Sequence, residues 1–97
     1  MLKHIVMWKL KDSPDRAAKA IEMKRRLDEC ANIVPGIHTF EVSLAQPGLE
    51  ATYDVVLYSE FTDKAALDAY AAHPTHEAVK PFIGSIRLER HCMDYEV

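Results

Sequence analysis

The sequence is poor in the residues that mark several large classes of protein. It has 3 glycines and 2 cysteines in 97 residues, and the glycines do not form the Gly-rich turn that holds a phosphate. No serine lies in a GxSxG motif, which argues against hydrolysis through a covalent intermediate. No apolar run approaches the roughly 20 residues that a membrane helix needs. We therefore expect neither a nucleotide enzyme nor a membrane protein.

An excess of one charge is also missing. The 12 Lys and Arg residues face 15 Asp and Glu residues, and the formal net charge is −3. A nucleic-acid partner usually requires a basic face, so none is expected, and the run Lys24–Arg26 is typical of a solvated helix flank. Cys30 and Cys92 have no metal-ligand spacing, and the N-terminal stretch alternates instead of resembling a signal peptide. We expect reduced thiols and a cytoplasmic protein.

Alternation and helical periodicity divide the chain into six elements, with the helical turn after Pro74 counted as part of the second helix. Residues 2–11 alternate as a strand, and Ser13 and Pro14 suit the N-cap and first position of a helix that runs to about Ile33. Further alternation predicts strands over 37–45 and 53–61. A second helix is expected from Thr62 or Asp63 to about Ala72. A helical turn covers about 75–82 and is closed by Gly84, and a last strand covers 85–95.

This order predicts one α+β domain over residues 1–97 with the ferredoxin-like βαββαβ fold. Right-handed crossovers place two helices on one face of a four-stranded antiparallel sheet. The first and third strands carry large apolar residues on both faces, so the face without helices also needs a cover. A second copy of the chain is the simplest cover, and we expect a homodimer through the sheet face.

Four segments together carry a resemblance to a known family: KHIVMWKLK, NIVPGI, YDVVLYSEF and LDAYAAHPTHEAV. They resemble the stress-responsive A/B barrel domain. The resemblance implies a ferredoxin-like protomer and a dimer whose two sheets form an α/β barrel. Some members are plant stress proteins that assemble into larger rings, and many bacterial members have no known role. One member is the plant polyketide cyclase that makes olivetolic acid.

The likeness to that cyclase points to individual residues. Tyr70 and His76 match its acid/base pair for an aldol cyclisation, and His4 matches its first-strand histidine. Val55 stands where the cyclase has a further pocket histidine, so the same substrate is not implied. The chemistry implied is that of a cofactor-independent lyase or isomerase acting on a small aromatic or β-keto compound.

His73 and His76, three residues apart around Pro74, are open to three interpretations. They lack the third and fourth ligands of a zinc site, so no metal and no cofactor are expected. A histidine suits proton removal near neutral pH, with Tyr70 donating a hydrogen bond, provided that the chain kinks at Pro74. In the structural alternative, His73 caps a helix end and His76 bonds to a strand. A haem enzyme of this fold would need an axial histidine, for which His76 is the candidate.

A small pocket between helices and sheet unites these residues in the catalytic interpretation. We expect Tyr70 and His76 to be catalytic, and ligand contacts to come from His4, Phe40, Leu57, His73, Phe82 and Ile86. The rival hypothesis is a non-enzymatic structural or stress-protective assembly protein, in which the histidines only hold the fold. Fold alone does not separate the two.

Overall fold

The computed structural model describes all residues 1–97 and contains four strands and three helices. They are β1 (Leu2–Leu10), α1 (Arg16–Asp28), β2 (Ile37–Leu44), β3 (Val55–Phe61), α2 (Lys64–Ala72), α3 (Pro74–Ile86) and β4 (Arg87–Glu96). The strands form one antiparallel sheet in the order β2-β3-β1-β4. The ferredoxin-like βαββαβ prediction is confirmed, with the second helix divided into α2 and α3.

Alternation in the central strand β1 determines which side chains reach the core. Leu2, Val6, Trp8 and Leu10 are buried on the face that carries the helices, because successive side chains of a strand point to opposite faces. They join one cluster of 16 buried apolar residues that includes members of all three helices. We call the face with the helices the inner face of the sheet.

The predicted start and end of α1 were both wrong. Ser13 is not the N-cap: its hydroxyl donates to the Asp15 carboxylate, and the helix begins at Arg16. The helix ends at Asp28, and turns lead to Gly36, whose φ is +91°. A Cβ at Gly36 would lie 2.9 Å from the Cβ of Ala66, so the left-handed turn and the close approach both require glycine.

Helix α3 continues past the glycine that was expected to end it. Its end was predicted near Phe82, with Gly84 as the stop, but it runs to Ile86 and contains both Pro81 and Gly84. Proline and glycine each weaken a helix interior. The last turn persists because it buries Ile86 against the sheet. The final strand consequently begins at Arg87 instead of residue 85.

The edge strand β4 pairs with β1 through an irregular register. Lys9 lies opposite Glu89, but Leu10 lies opposite Arg87, so Leu88 is an extra residue on β4. This β-bulge changes the alternation of faces beyond it. At the other end of the same pair of strands, the Met1 amino group donates to the Val97 carbonyl at 3.2 Å.

No helix covers the outer face of the sheet. Ile5, Met7 and Val56 are half-buried there, and Met93 is 66% exposed. Tyr58 donates to Glu60 at 2.6 Å on the same face. None of the helices is both long and apolar enough to cross a membrane.

Candidate active site

A cavity of about 340 Å³ lies between the helices and the inner face of the sheet. It brings together the side chains of His4, Tyr70 and His76, from β1, α2 and α3 respectively, and Leu57 forms part of its wall. The full lining is His4, Val6, Trp8, Leu27, Leu57, Tyr70, His76, Lys80, Ile83, Gly84, Arg87 and Arg90. The cavity thus combines an apolar wall with titratable groups, the usual character of a ligand site.

Tyr70 places a phenol in the cavity without a hydrogen-bond partner for its hydroxyl. The residue is 1% exposed, and its ring packs on those of Phe61 at 5.4 Å and Phe40 at 5.8 Å between centroids. The buried hydroxyl forms no hydrogen bond within the chain. Burial raises the pKa of Tyr70, since the phenolate would lose its hydration. The group therefore stays protonated and able to donate.

His76 has one ring nitrogen held and the other free. Its Nδ1 lies 3.0 Å from the carbonyl oxygen of Ala71. Because a carbonyl only accepts, Nδ1 carries the proton and Nε2 keeps a lone pair. Burial lowers the pKa of His76, the bond to Ala71 opposes that shift, and the nearby Lys80 ammonium lowers the pKa further. The imidazole is consequently neutral at pH 7 and able to act as a base. The structural alternative predicted that His76 would bond to a strand. That detail was wrong, because Ala71 belongs to α2.

Pro74 explains how Tyr70 and His76 meet. His73 adopts extended backbone between α2 and α3, as expected of a residue that precedes proline. Its Nδ1 accepts from the Thr75 backbone N–H at 3.1 Å and caps α3. The kink brings the Tyr70 and His76 rings to 4.6 Å between centroids.

His4 is oriented by a carboxylate that was not predicted from the sequence. Its Nδ1 lies 2.5 Å from Oδ1 of Asp94, the residue directly opposite it on β4. Nδ1 therefore donates to the carboxylate, and Nε2 is the nitrogen left for the cavity. The pair is half-exposed on the Asp94 side, so solvent reaches this end of the cavity.

Four residues expected in the pocket lie outside it. Phe40 packs behind Tyr70, and His73 is occupied in capping α3. Phe82 lies under the Arg26 guanidinium, 4.2 Å from ring centroid to Cζ. Ile86 is buried near Leu10 at the edge of a separate, smaller cavity. Ile86 was predicted on the last strand, but it lies in the extra turn of α3 instead.

No set of three or more His, Cys, Asp or Glu side chains is arranged to hold a metal ion. His73 and His76 point to different partners, the Thr75 amide and the Ala71 carbonyl. The residues present do not form a preorganised zinc site, which would need three or four convergent ligands.

Several residues that line the cavity or orient its side chains were not predicted from the sequence. Asp94 and Arg90 are identified only through the pairing of β4 with β1, and Arg87 only through the bulge at Leu88. Trp8 was interpreted as a core or dimer-face residue. The available signal was the alternation of β1, which places Trp8 on the same face as His4, but alternation does not tell a cavity wall from packed core.

A larger cleft, about 420 Å³, lies on the outer face under the loop between β2 and β3. Met7, Val56 and Leu49 contribute to its apolar lining. It contains no histidine, lysine or arginine. The smaller inner cavity is therefore the better candidate for acid/base chemistry.

The fold and cavity define a class of protein: a ferredoxin-like α+β domain with a histidine- and tyrosine-lined pocket under its helices. Residues 2–97 match the family model of the Stress Responsive A/B Barrel Domain, and the chain belongs to that family.

Similar proteins agree with this placement. The stress-response A/B barrel domain-containing protein DABB1 of Arabidopsis thaliana is 29% identical over 97 residues, which are 98% of this chain and 46% of that protein. A dimeric ferredoxin-like protein of unknown function from Bacteroides fragilis is 32% identical, with a TM-score of 0.85 and coverage of 99% and 95%. A dimeric ferredoxin-like protein of unknown function from Jannaschia is 31% identical, with a TM-score of 0.79 and coverage of 99% and 98%. The chain spans less than half the length of the plant relative.

Proposed function

We propose that the inner cavity binds a small aromatic or β-keto compound and catalyses cofactor-independent proton transfer, of the kind that leads to cyclisation or isomerisation. The observation that carries this proposal is the unpartnered hydroxyl of Tyr70 beside the neutral imidazole of His76. A buried polar group without a partner costs about 1–3 kcal/mol. A ligand carbonyl in the cavity would remove that cost by accepting from Tyr70.

The geometry supports a simple division of roles. Tyr70 donates to the carbonyl oxygen of the ligand, and Nε2 of His76 takes a proton from the adjacent carbon. The C–H bond breaks, an N–H bond forms, and the electron pair moves onto the oxygen as an enolate. The hydrogen bond from Tyr70 strengthens as that charge develops. The enolate then regains a proton at another atom or attacks a second carbonyl of the same molecule.

His4 supplies a second imidazole to the same cavity. Asp94 orients it by accepting a hydrogen bond from Nδ1, so Nε2 is free to accept a hydrogen bond from the ligand. We propose Tyr70 and His76 as catalytic residues, with His4 and Leu57 as ligand contacts.

Binding and turnover test this function together. Thermal unfolding with a panel of small aromatic and β-keto compounds should identify ligands that raise the transition temperature. Exchange of the α-protons of a bound ketone into D2O, followed by NMR, measures the proton transfer. We expect Tyr70→Phe and His76→Gln to slow exchange by about 100-fold or more, and Arg16→Gln, a change on the exposed surface of α1, to have no effect. Equal exchange in wild type and His76→Gln would reject the function.

A structural role is the second candidate, and one observation favours it. His73 and His76 bond the Thr75 amide and the Ala71 carbonyl, so together they hold the α2–α3 junction. In that case His76→Ala would lower the melting temperature by several degrees, at roughly 4–8 °C per kcal/mol for a domain of this size. No compound would then shift the transition of the wild type.

The proposal includes a homodimer formed through the outer face of the sheet. The half-buried Ile5, Met7 and Val56 and the exposed Met93 lie there without a cover from the chain itself. A stable interface of about 800 Å² per partner fits one sheet face. The two solved neighbours described above are dimers, which supports the same assembly here.

A cytoplasmic location is also proposed. Cys30 and Cys92 are both free thiols, and Cys92 is exposed. Exposed thiols persist in a reducing compartment. Labelling of the exposed Cys92 in cell extract without prior reduction is the expected result, and a mixed disulfide at Cys92 would contradict it.

A further inference from the structure

The cavity has a second polar end, remote from the histidines, that the proton-transfer chemistry does not use. Trp8 and Arg90 lie directly opposite each other on β1 and β4, and Arg87 lies opposite Leu10 one step further along. Trp8, Arg87 and Arg90 all line the same cavity as His4 and His76. Since paired residues share a face of the sheet, the side chains of Trp8 and Arg90 start from neighbouring positions on its inner face.

The bulge at Leu88 is what brings both arginines to this end. Residues 87 and 90 are an odd number apart, and in a regular strand their side chains would point to opposite faces. The extra residue resets the alternation, so that Leu10 pairs with Arg87 and Trp8 with Arg90. Both guanidinium groups therefore face the inner side, at the mouth of the cavity.

These two arginines differ from the other three in the chain. Arg16, Arg25 and Arg26 all form ion pairs on the surface of α1. Arg87 forms no ion pair within the chain, and the only side-chain partner of Arg90 is the Cys92 sulfur at 3.5 Å. Lys80 also lines the cavity but is paired with Glu77 at 2.7 Å. Two guanidinium groups without a counter-ion remain in a protein with a net charge of −3.

A buried donor lies beside them. Trp8 is 4% exposed, and its Nε1–H forms no hydrogen bond within the chain. An indole N–H only donates, so its missing partner must be an acceptor. An anion is the partner that satisfies this N–H and both guanidinium groups at once.

We propose that Trp8, Arg87 and Arg90 bind a carboxylate of the ligand, and that the substrate class is a small aromatic or alicyclic keto acid. This inference rests on the proposed proton-transfer function for the role of the other end. His4 and Trp8 are four residues apart on β1, which is about 13 Å at the rise of a strand. The carboxylate thus lies roughly a ring and a short chain away from the carbonyl that Tyr70 and His76 engage.

The apolar wall between the two ends agrees with such a molecule. Val6, Leu57 and Ile83 line the cavity without a polar atom in their side chains. A ring or short aliphatic chain would lie against them, and the volume of about 340 Å³ lies within the range of small-molecule sites. Recognition at both ends would fix the orientation of the reacting carbon relative to His76.

A matched pair of compounds tests the carboxylate: 4-(4-acetylphenyl)butanoate, in which a ring and a short chain separate the ketone from the carboxylate, and its uncharged amide, 4-(4-acetylphenyl)butanamide. Calorimetry with wild type should give about 10-fold to 100-fold tighter binding of the acid, as expected for charge-assisted hydrogen bonds. In the Arg87→Gln/Arg90→Gln protein the preference should disappear while the amide binds as before. Trp8→Phe should weaken binding of the acid more than binding of the amide. Arg16→Gln, which replaces an arginine on α1, should change the affinity for neither compound.

The binding test of the carboxylate site and the exchange test of proton transfer can fail independently. Equal binding of acid and amide to wild type, binding of neither, or an unchanged preference in the double arginine variant would overturn the carboxylate site. Exchange of the α-protons of the acid reports on the proton-transfer end. If the acid binds through the arginines but His76→Gln exchanges as fast as wild type, the carboxylate site stands and the proposed function fails.

Discussion

The rings of Tyr70 and His76 lie 4.6 Å apart, centroid to centroid, across the junction of two helices. Six residues separate them in sequence, and in one unbroken helix they would occupy different faces. The extended backbone of His73 before Pro74 turns α3 back toward α2. The meeting of phenol and imidazole is therefore a consequence of the helix break.

The unpartnered Tyr70 hydroxyl predicts an unusual Tyr→Phe result. Tyr70→Phe should leave the melting temperature unchanged or raise it, because removing an unpaired buried hydroxyl removes a cost. Tyr58→Phe is the matched control: its hydroxyl donates to Glu60 at 2.6 Å, and its loss should cost about 1 kcal/mol or more. Thermal unfolding of the two variants beside wild type measures both. A drop of several degrees in Tyr70→Phe would mean that the hydroxyl has a stabilising partner.

His76 predicts a pH dependence of stability with a definite sign. Its folded-state pKa is lowered, chiefly by burial, so the unfolded chain binds the proton more readily. The contribution to stability is present above about pH 6.5, the ordinary histidine pKa, and is lost as the pH falls through the lower folded-state value. Urea unfolding between pH 8 and 5 should show wild type losing stability relative to His76→Gln. Arg16→Gln, which removes no group that titrates in this range, serves as control. A constant difference between wild type and His76→Gln across this pH range would contradict the prediction.

Alanine substitutions at Gly36 and Gly48 distinguish the energetic cost of backbone strain from that of a steric contact. Both have positive φ, +91° and +83°, but a Cβ at Gly48 would meet nothing within 4 Å, whereas one at Gly36 would lie 2.9 Å from Ala66. Gly48→Ala should cost about 1–2 kcal/mol for the left-handed conformation alone. Gly36→Ala should cost about 1–3 kcal/mol more because α2 must shift. Chemical denaturation that gives equal losses would show that the contact relaxes freely.

Gly84 offers a stabilising change. It lies inside α3 with ordinary helical backbone, and an added Cβ would enter open space. Gly84→Ala should raise the free energy of unfolding by roughly 0.5–1 kcal/mol through the backbone entropy of the unfolded chain. Ser85→Ala, the next position in the same helix, controls for helix propensity. A loss of stability in Gly84→Ala would indicate that the cavity wall needs glycine there.

The outer face of the sheet predicts the effect of a single charge on assembly. Met7→Asp should dissociate the dimer or unfold it, since an unpaired carboxylate would be buried in the interface. Ile21→Asp is the control, because Ile21 is 62% exposed on α1. Sedimentation at micromolar concentration should give a dimer for wild type and Ile21→Asp. A stable wild-type monomer would remove the basis of the dimer proposal.

Much of the fold was predictable because the alternation of apolar and polar residues along a strand is visible in the local sequence. Alternation in residues 2–11 identified the buried face of β1, since each second side chain must reach the core. Asp63 was correctly named as a candidate cap of α2, where its carboxylate accepts from the Ala66 N–H at 2.9 Å. The errors fell at Ser13, which is not the N-cap of α1, and at Gly84, whose tendency to end a helix was outweighed by the burial of Ile86 in the next turn.

The candidate site was predictable only in part, for a different reason. Tyr70, His76 and His4 were identified from their chemistry and the family resemblance, and the cavity does contain all three. Arg87 and Arg90 reach it, and Asp94 reaches His4, through the register of β4 with β1 and a bulge between them. Register between strands some 90 residues apart depends on tertiary packing, which one sequence does not reveal.

The pairing of β1 with β4 also determines when the sheet becomes complete during synthesis. The central strand β1 is made before its two neighbours, which begin only at Val55 and Arg87. Until β4 leaves the ribosome, one edge of β1 has no partner and the His4–Asp94 pair does not exist. Long-range pairing of this kind is slow and leaves an unpaired edge open to other chains. The growing chain is thus most vulnerable to aggregation just before β4 adds the last strand and the last side chains of the pocket.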